Sequence, residues 1–272
     1  MHLKLLSRAF IVLLTLAAIS LALASFFPAQ VAALILDIPL PGPTPPPPTI
    51  HASRGEMPGG VGGLKEFKQE RGQGYELVGS GFFLRLADGA VVGLTTAHSV
   101  PSLGSADEPL ERIALRLPDG QGFVAEFDTL YGLPGVPRTG GDLTVDYVLL
   151  KVDQPVDADL VLAPDPRGAP QPGERVQIMG GLGELNNGQR LFSGTVLRVN
   201  AHGAWVLMDD NFEPGEMSGS PFVSEYTGQV VGLAIAVAHE GDRILIGVNP
   251  IGHIVQIAEA AREFPKIAEY RR

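Results

Sequence analysis

The segment GEMSGSP, residues 215–221, sets Ser218 among small residues just ahead of a proline. Glycines there let a substrate carbonyl approach the backbone, as a nucleophilic serine requires, although a plain surface turn uses the same residues. A serine hydroxyl is a poor nucleophile at neutral pH. An imidazole must take its proton, and a carboxylate must fix the tautomer of that imidazole and favour its charged form. LTTAHSV, residues 94–100, offers His98 where an apolar strand gives way to a loop. Val145-Asp146, leading into YVLLKV, offers an acid at the head of a buried strand, a sensible place for a charge that faces a histidine. Asp142 in GGDLTVD is a rival, but the aliphatic run follows Asp146 directly.

The elements that must position these residues read as strands and turns. GFFLRL, the Ala87-Asp88-Gly89 turn and AVVGLTT form a hairpin pattern; IALRL, Pro118-Asp119-Gly120 and GFVAEF form another. DYVLLKV is a third apolar run, RVQIMG and TVLRV bracket an Asn186-Asn187-Gly188 turn, and AWVLM and QVVGLAIAV continue the series. Many short strands without intervening helices predict an all-β barrel or sandwich. One helix is predicted near the C-terminus, capped by Asn249, with Pro250 in its first position. Ile251, Ile254, Val255, Ala258 and Ala261 form its apolar stripe, and it should end near Phe264, strapped over the β body.

In this order the three motifs resemble those of the chymotrypsin/trypsin-like serine peptidases: TAHSV their histidine motif, DYVLLKV their aspartate motif, SGSP their serine motif. The resemblance spans roughly residues 70 to 264, with further echoes in GERVQIMGGLG, VVGLAIAV and IGVNPIGHIV. It implies two six-stranded antiparallel β-barrels, with the active site between them and a C-terminal helix following. It also implies endopeptidase action on protein or peptide substrates through His98, Asp146 and Ser218. The oxyanion would be held by the backbone N–H groups of Glu216 and Ser218. The stretch 232–236 and Val237 would line the primary pocket, chiefly through Ile235, Ala236 and Val237, with Gly247 and Val248 behind. That lining carries no acid, which implies a small or medium apolar side chain rather than Arg or Lys in the pocket.

Two residues depart from the family pattern. Glycine normally stands two positions before the nucleophile and aspartate one before it; here they are Glu216 and Met217. A glutamate N–H can still donate, but its Cβ opposes the required peptide orientation and its charge lies near the oxyanion. A catalytically weak relative that binds peptides or proteins is therefore the alternative. Methionine cannot pair with a newly cut N-terminal amine as that aspartate does in zymogen-activated members, so activity without N-terminal processing is expected.

The rest of the chain sets the context. Its 272 residues include 45% hydrophobic, 18% charged and 34 glycines, a mixture suited to a β-rich body with tight turns. A net charge of −10 argues against nucleic acid as a partner. There are no cysteines, and the six histidines show no metal-ligand spacing, so neither a metal nor another cofactor is expected. After Lys4 and Arg8, the stretch from Ala9 to Leu36 carries no charge. That is long enough to span a bilayer, and the basic residues before it favour a cytoplasmic N-terminus. The expected organisation is a signal-anchor or signal peptide over 1–37, a Pro/Gly-rich linker over 38–64 and the peptidase-like body over 65–272. The linker includes PLPGPTPPPP, a semi-rigid spacer. The body would be exported and membrane-tethered, or secreted if the chain is cut after Ala24. The sequence leaves the oligomeric state open.

Overall fold

A computed structural model describes residues 63–180, 186 and 190–272. The proposed anchor, almost all of the linker and most of the Asn186-Asn187-Gly188 turn lie outside the described residues. No helix among the described residues is long and apolar enough to cross a membrane.

Thirteen strands, one α-helix and a 3₁₀ turn (Ala158–Leu160) make up the described body. The first group is β1 (Leu64–Glu70), β2 (Tyr75–Arg85), β3 (Val91–Thr95), β4 (Leu110–Arg116), β5 (Phe123–Phe127), β6 (Val148–Lys151) and β7 (Val161–Leu162). They form one sheet in the order β5-β4-β1-β2-β3-β6, with β7 pairing in parallel with β2. The second group is β8 (Arg175–Met179), β9 (Leu191–Asn200), β10 (Gly203–Met208), β11 (Pro221–Ser224), β12 (Val230–Glu240) and β13 (Arg243–Pro250), a closed six-stranded barrel. Both predicted hairpins form, β2 with β3 and β4 with β5.

The first sheet is a half-barrel of seven strands where a six-stranded barrel was expected. The residues just after β5 close its gap: Tyr131 N–H donates to the Leu149 carbonyl at 2.8 Å and Lys151 N–H to the Thr129 carbonyl at 3.0 Å. A short irregular segment thus takes the place of a full ladder and satisfies part of the free edge of β6.

The apolar run in β2 shows why the two sheets stay together. Phe82, Phe83 and Leu84 are all fully buried, because both faces of β2 are covered. Successive strand residues point to opposite faces. Phe83 joins the interior of the first sheet with Ile113, Leu115, Phe127 and Leu150. Phe82 and Leu84 join a layer containing Leu233 and Ile235 of β12 and Ile251, Ile254 and Ala258 of the helix. A separate cluster, including Val176, Ile178, Phe222 and Ile246, fills the closed barrel.

The helix, α1, runs from Ile251 to Ala260, and Pro250 rather than Asn249 stands at its cap position. Asn249 still belongs to β13, paired with Leu233 of β12, one residue too early to cap; it is fully buried, and its side-chain NH2 donates to the Thr144 carbonyl at 3.1 Å. The helix also stops short of Phe264. Ala261 is extended, and the chain beyond it pairs with the first sheet: Leu130 N–H donates to the Pro265 carbonyl at 2.9 Å and Ile267 N–H to the Asp128 carbonyl at 2.8 Å. The expected strap is therefore half helix and half extended chain.

Candidate active site

His98 and Asp146 meet at the edge of the first sheet. β3 delivers its last residues to the histidine loop, and Asp146 stands just ahead of β6, the neighbour of β3. His98 Nδ1 lies 2.8 Å from Asp146 Oδ2. The acid is fully buried, while the imidazole is one-third exposed. Three backbone N–H groups also donate to Asp146: Ala97 at 2.8 Å and His98 at 3.1 Å to Oδ1, and Arg138 at 3.1 Å to Oδ2. Burial acts most strongly on this carboxyl and favours protonation. The hydrogen bond and charge of His98, with the backbone donors, outweigh it and hold Asp146 below the usual aspartate range. An ionised Asp146 can only accept, so His98 Nδ1 carries a proton and donates to it.

Asp142 goes elsewhere. It accepts from the Thr144 N–H at 2.9 Å and the Thr144 hydroxyl at 2.7 Å, closing a local turn.

Ser218 is half-buried on the loop leading into β11. This loop is tied to the first sheet through Ser80 of β2. Ser80 N–H donates to the Ser218 carbonyl at 2.9 Å, and Ser80 Oγ donates to the Glu216 carbonyl at 3.1 Å. Gly219 (φ 91°) makes this approach sterically feasible, since a Cβ there would stand 1.9 Å from the Ser80 carbonyl oxygen. Gly79 marks where the loops meet. A Cβ on it would lie 2.9 Å from Ser99 Oγ, beside His98, and 3.1 Å from the Ser218 carbonyl oxygen.

The predicted oxyanion donors sit on the same loop. Among the described residues, neither the Glu216 nor the Ser218 N–H gives a hydrogen bond to a protein acceptor, whereas Met217 N–H donates to Pro214 and Gly219 N–H to Ala234. Two donors are thus left available for a ligand oxygen. Glu216 is the non-glycine residue with positive φ (57°) among the described residues. The left-handed region costs an L-residue roughly 1–2 kcal/mol, so the loop holds a shape that suits glycine better. Met217 is buried in the closed barrel among Phe192 and Phe222, where apolar packing takes the place of an ion pair.

The predicted pocket residues divide. Ile235 and Ala236 are buried in the layer between the sheets, and Leu143 fills the space beside Gly247, within 2.9 Å of where a Cβ would stand. Only Val237 of the four is exposed, at 40%. Sequence reasoning missed Ser80, whose role depends on a strand distant in the chain. It also missed Arg138, which contributes only a backbone N–H and so leaves no trace in residue type.

The sequence profile of the trypsin-like peptidase domain matches residues 79–233. No curated protein sequence matches the chain. Human heparin binding protein is similar in structure, with a TM-score of 0.52 at 14% identity over 76% of this chain and 94% of that one. The catalytically active tobacco etch virus protease, solved with product, is similar at a TM-score of 0.50 and 13% identity, over 82% and 87%. At these identities the structural likeness concerns the fold alone.

Proposed function

Because the chain belongs to the trypsin-like peptidase domain family, we propose that it is a serine endopeptidase with Ser218 as nucleophile, His98 as base and Asp146 as the acid that orients it. In this reading Ser218 Oγ attacks a peptide carbonyl while His98 Nε2 takes the hydroxyl proton. His98 then gives that proton to the leaving amine. A water molecule, deprotonated by the same nitrogen, attacks the acyl-serine ester and releases the second product and the free serine. The oxyanion formed in each half is met by the N–H groups of Glu216 and Ser218.

The observation that carries this reading is the buried, ionised Asp146 bonded to His98 Nδ1 at 2.8 Å. Burying a carboxylate is costly unless it is well paired, and four donors converge on this one. A surface turn has no need of such an arrangement. Substrates are proteins or peptides. The exposed Val237 and the lack of an acid in the predicted lining favour a small or medium apolar side chain.

A second reading, a catalytically weak domain that binds peptides, is favoured by the positive φ and carboxylate of Glu216. One experiment addresses both. The full chain is treated with a fluorophosphonate and the adduct mapped by mass spectrometry. Labelling at Ser218 is the expected result; a folded sample that takes no label points to the binding role. Glu216→Gly relieves the strain and removes a charge from the oxyanion site, so it should label about tenfold faster. An unchanged or slower rate would mean that Glu216 does not limit the site.

Export belongs to the same proposal. The uncharged stretch from Ala9 to Leu36 supports a body held outside the cytoplasm by a retained anchor. Sequencing the mature N-terminus by mass spectrometry checks this: a chain beginning at Ser25 would establish release instead.

A further inference from the structure

Glu66, the third residue of β1, is a fully buried carboxyl, and no step above uses it. It lies beneath the junction of the histidine and nucleophile loops. Its partner in β2 is Gly79, where a Cβ would stand 3.0 Å from Glu66 Oε2 and 3.1 Å from the Ser218 carbonyl oxygen. Thr95 Oγ1 is 2.6 Å from Glu66 Oε2 and 3.0 Å from the Ser80 carbonyl oxygen. Thr95 has one hydroxyl proton and two acceptors in reach, so both contacts are fully made only if Thr95 donates to the Ser80 carbonyl and Glu66 supplies the proton of the other. The 2.6 Å contact then needs a proton on Glu66. An ionised Glu66 would draw the Thr95 proton to itself and leave the Ser80 carbonyl without it. It would also leave Oε1, which has no hydrogen-bond partner, sharing a buried negative charge.

We propose that Glu66 is a positioning residue for the nucleophile loop: as a neutral acid it donates to Thr95, Thr95 donates to the Ser80 carbonyl, and Ser80 so fixed clamps the loop. Ser80 holds the carbonyls of Glu216 and Ser218 through its hydroxyl and its N–H. Those two carbonyls bracket the Met217–Ser218 peptide, whose N–H is one of the two oxyanion donors. When Glu66 ionises, the Thr95 hydroxyl turns to the carboxylate, the Ser80 carbonyl is released and the clamp loosens.

The surroundings agree. Burial is the largest influence on Glu66 and pushes it up to about 8; the Thr95 and Ser99 hydroxyls, which could donate only to its ionised form, pull the other way and are outweighed. Around it stand Leu115 from β4, Gly79 and Ser80 from β2, Thr95 from β3 and Ser99 from the histidine loop. The titratable groups nearby are Lys65 on its own strand, His98, which is engaged with Asp146, and the exposed Glu216. A carboxyl whose pKa is raised on folding is neutral below that value, so the clamp is complete at neutral pH and lost as pH rises through it.

The inference rests on the serine-nucleophile reading, and its test separates the two. Fluorophosphonate labelling rates of the full chain are measured from about pH 6 to 10, beside the amide NMR signals of Ser218 and Gly219. The wild type should lose about tenfold in rate above pH ~8, less than the loss of a whole oxyanion donor. Its two amide signals should move with the same midpoint. Glu66→Gln, whose amide N–H gives Thr95 the same bond without titrating, should keep its rate and its signals constant through that range. Thr95→Val should label slowly at every pH. An alkaline decline in Glu66→Gln equal to that of the wild type overturns the role of Glu66. So do wild-type amide signals that do not titrate, a result that needs no variant to fold. A wild type that takes no label while its amides titrate sinks the nucleophile reading and leaves the clamp standing.

Discussion

Asp146→Asn should lower the fluorophosphonate labelling rate by about 10⁴-fold while leaving the protein folded. The carboxylate accepts from three backbone N–H groups as well as from His98 Nδ1. An asparagine must point its NH2 at one pair of these donors. Placed at Oδ1, it would face both the Ala97 and the His98 N–H. Placed at Oδ2, it faces only the Arg138 N–H and an imidazole that can answer by changing tautomer. The second is the cheaper arrangement, and it forces His98 to accept at Nδ1 and carry its proton on Nε2. Under the proposed mechanism, Nε2 then has no lone pair with which to take the Ser218 proton. Asp142→Asn is the control: Asp142 serves the Thr144 turn, so its amide should change the rate by less than about threefold. Equal losses in the two variants would remove Asp146 from the mechanism.

That pair of aspartates also shows what a sequence can and cannot convey. Asp146 was legible because it heads an aliphatic run, and a strand buried on both faces has little use for an unpaired acid at its start. The hairpins were legible because apolar runs and turn residues lie next to each other in the chain. Glu66 was not. It sits in LKEFKQE, which reads as a charged surface segment, and a register shift between Glu66 and Phe67 breaks the alternation that would have marked a strand. Its burial depends on β2, β3 and β4 closing around it, and no local pattern encodes that. Asn249 failed as a cap for the same kind of reason, since pairing with Leu233, from a strand it meets only in the fold, keeps it in β13. The predicted pocket suffered likewise: Leu143, from a loop far away in the chain, occupies the space beside Gly247.

A second buried charge cluster carries the largest effect on stability. Asp165 and Glu174, both with fully buried side chains, are gripped by one guanidinium on the crossing between the two sheets. Arg167 donates to Asp165 through Nε at 2.8 Å and Nη2 at 2.6 Å, and to Glu174 through Nη2 at 2.7 Å and Nη1 at 3.2 Å. The hydrogen bonds of Asp165 hold its carboxyl ionised at lower pH than an ordinary aspartate, although burial, the largest influence, opposes this. A group depressed on folding adds stability above its usual range, and that stability is lost as pH falls through the lowered value. Arg167→Met keeps much of the side-chain volume but strands two buried carboxylates. Unfolding by urea at about pH 7 should show a loss of about 3–5 kcal/mol, the scale for removing one partner from a buried ion pair. The deficit should shrink toward pH 5 as the stranded Asp165 carboxyl takes up a proton. Adding Asp165→Asn and Glu174→Gln to Arg167→Met should restore most of the loss at pH 7, because the cost lies in uncompensated charge rather than in missing contacts. A triple variant as unstable as Arg167→Met alone would show that the guanidinium acts by packing, and that the two carboxylates hold their places without it.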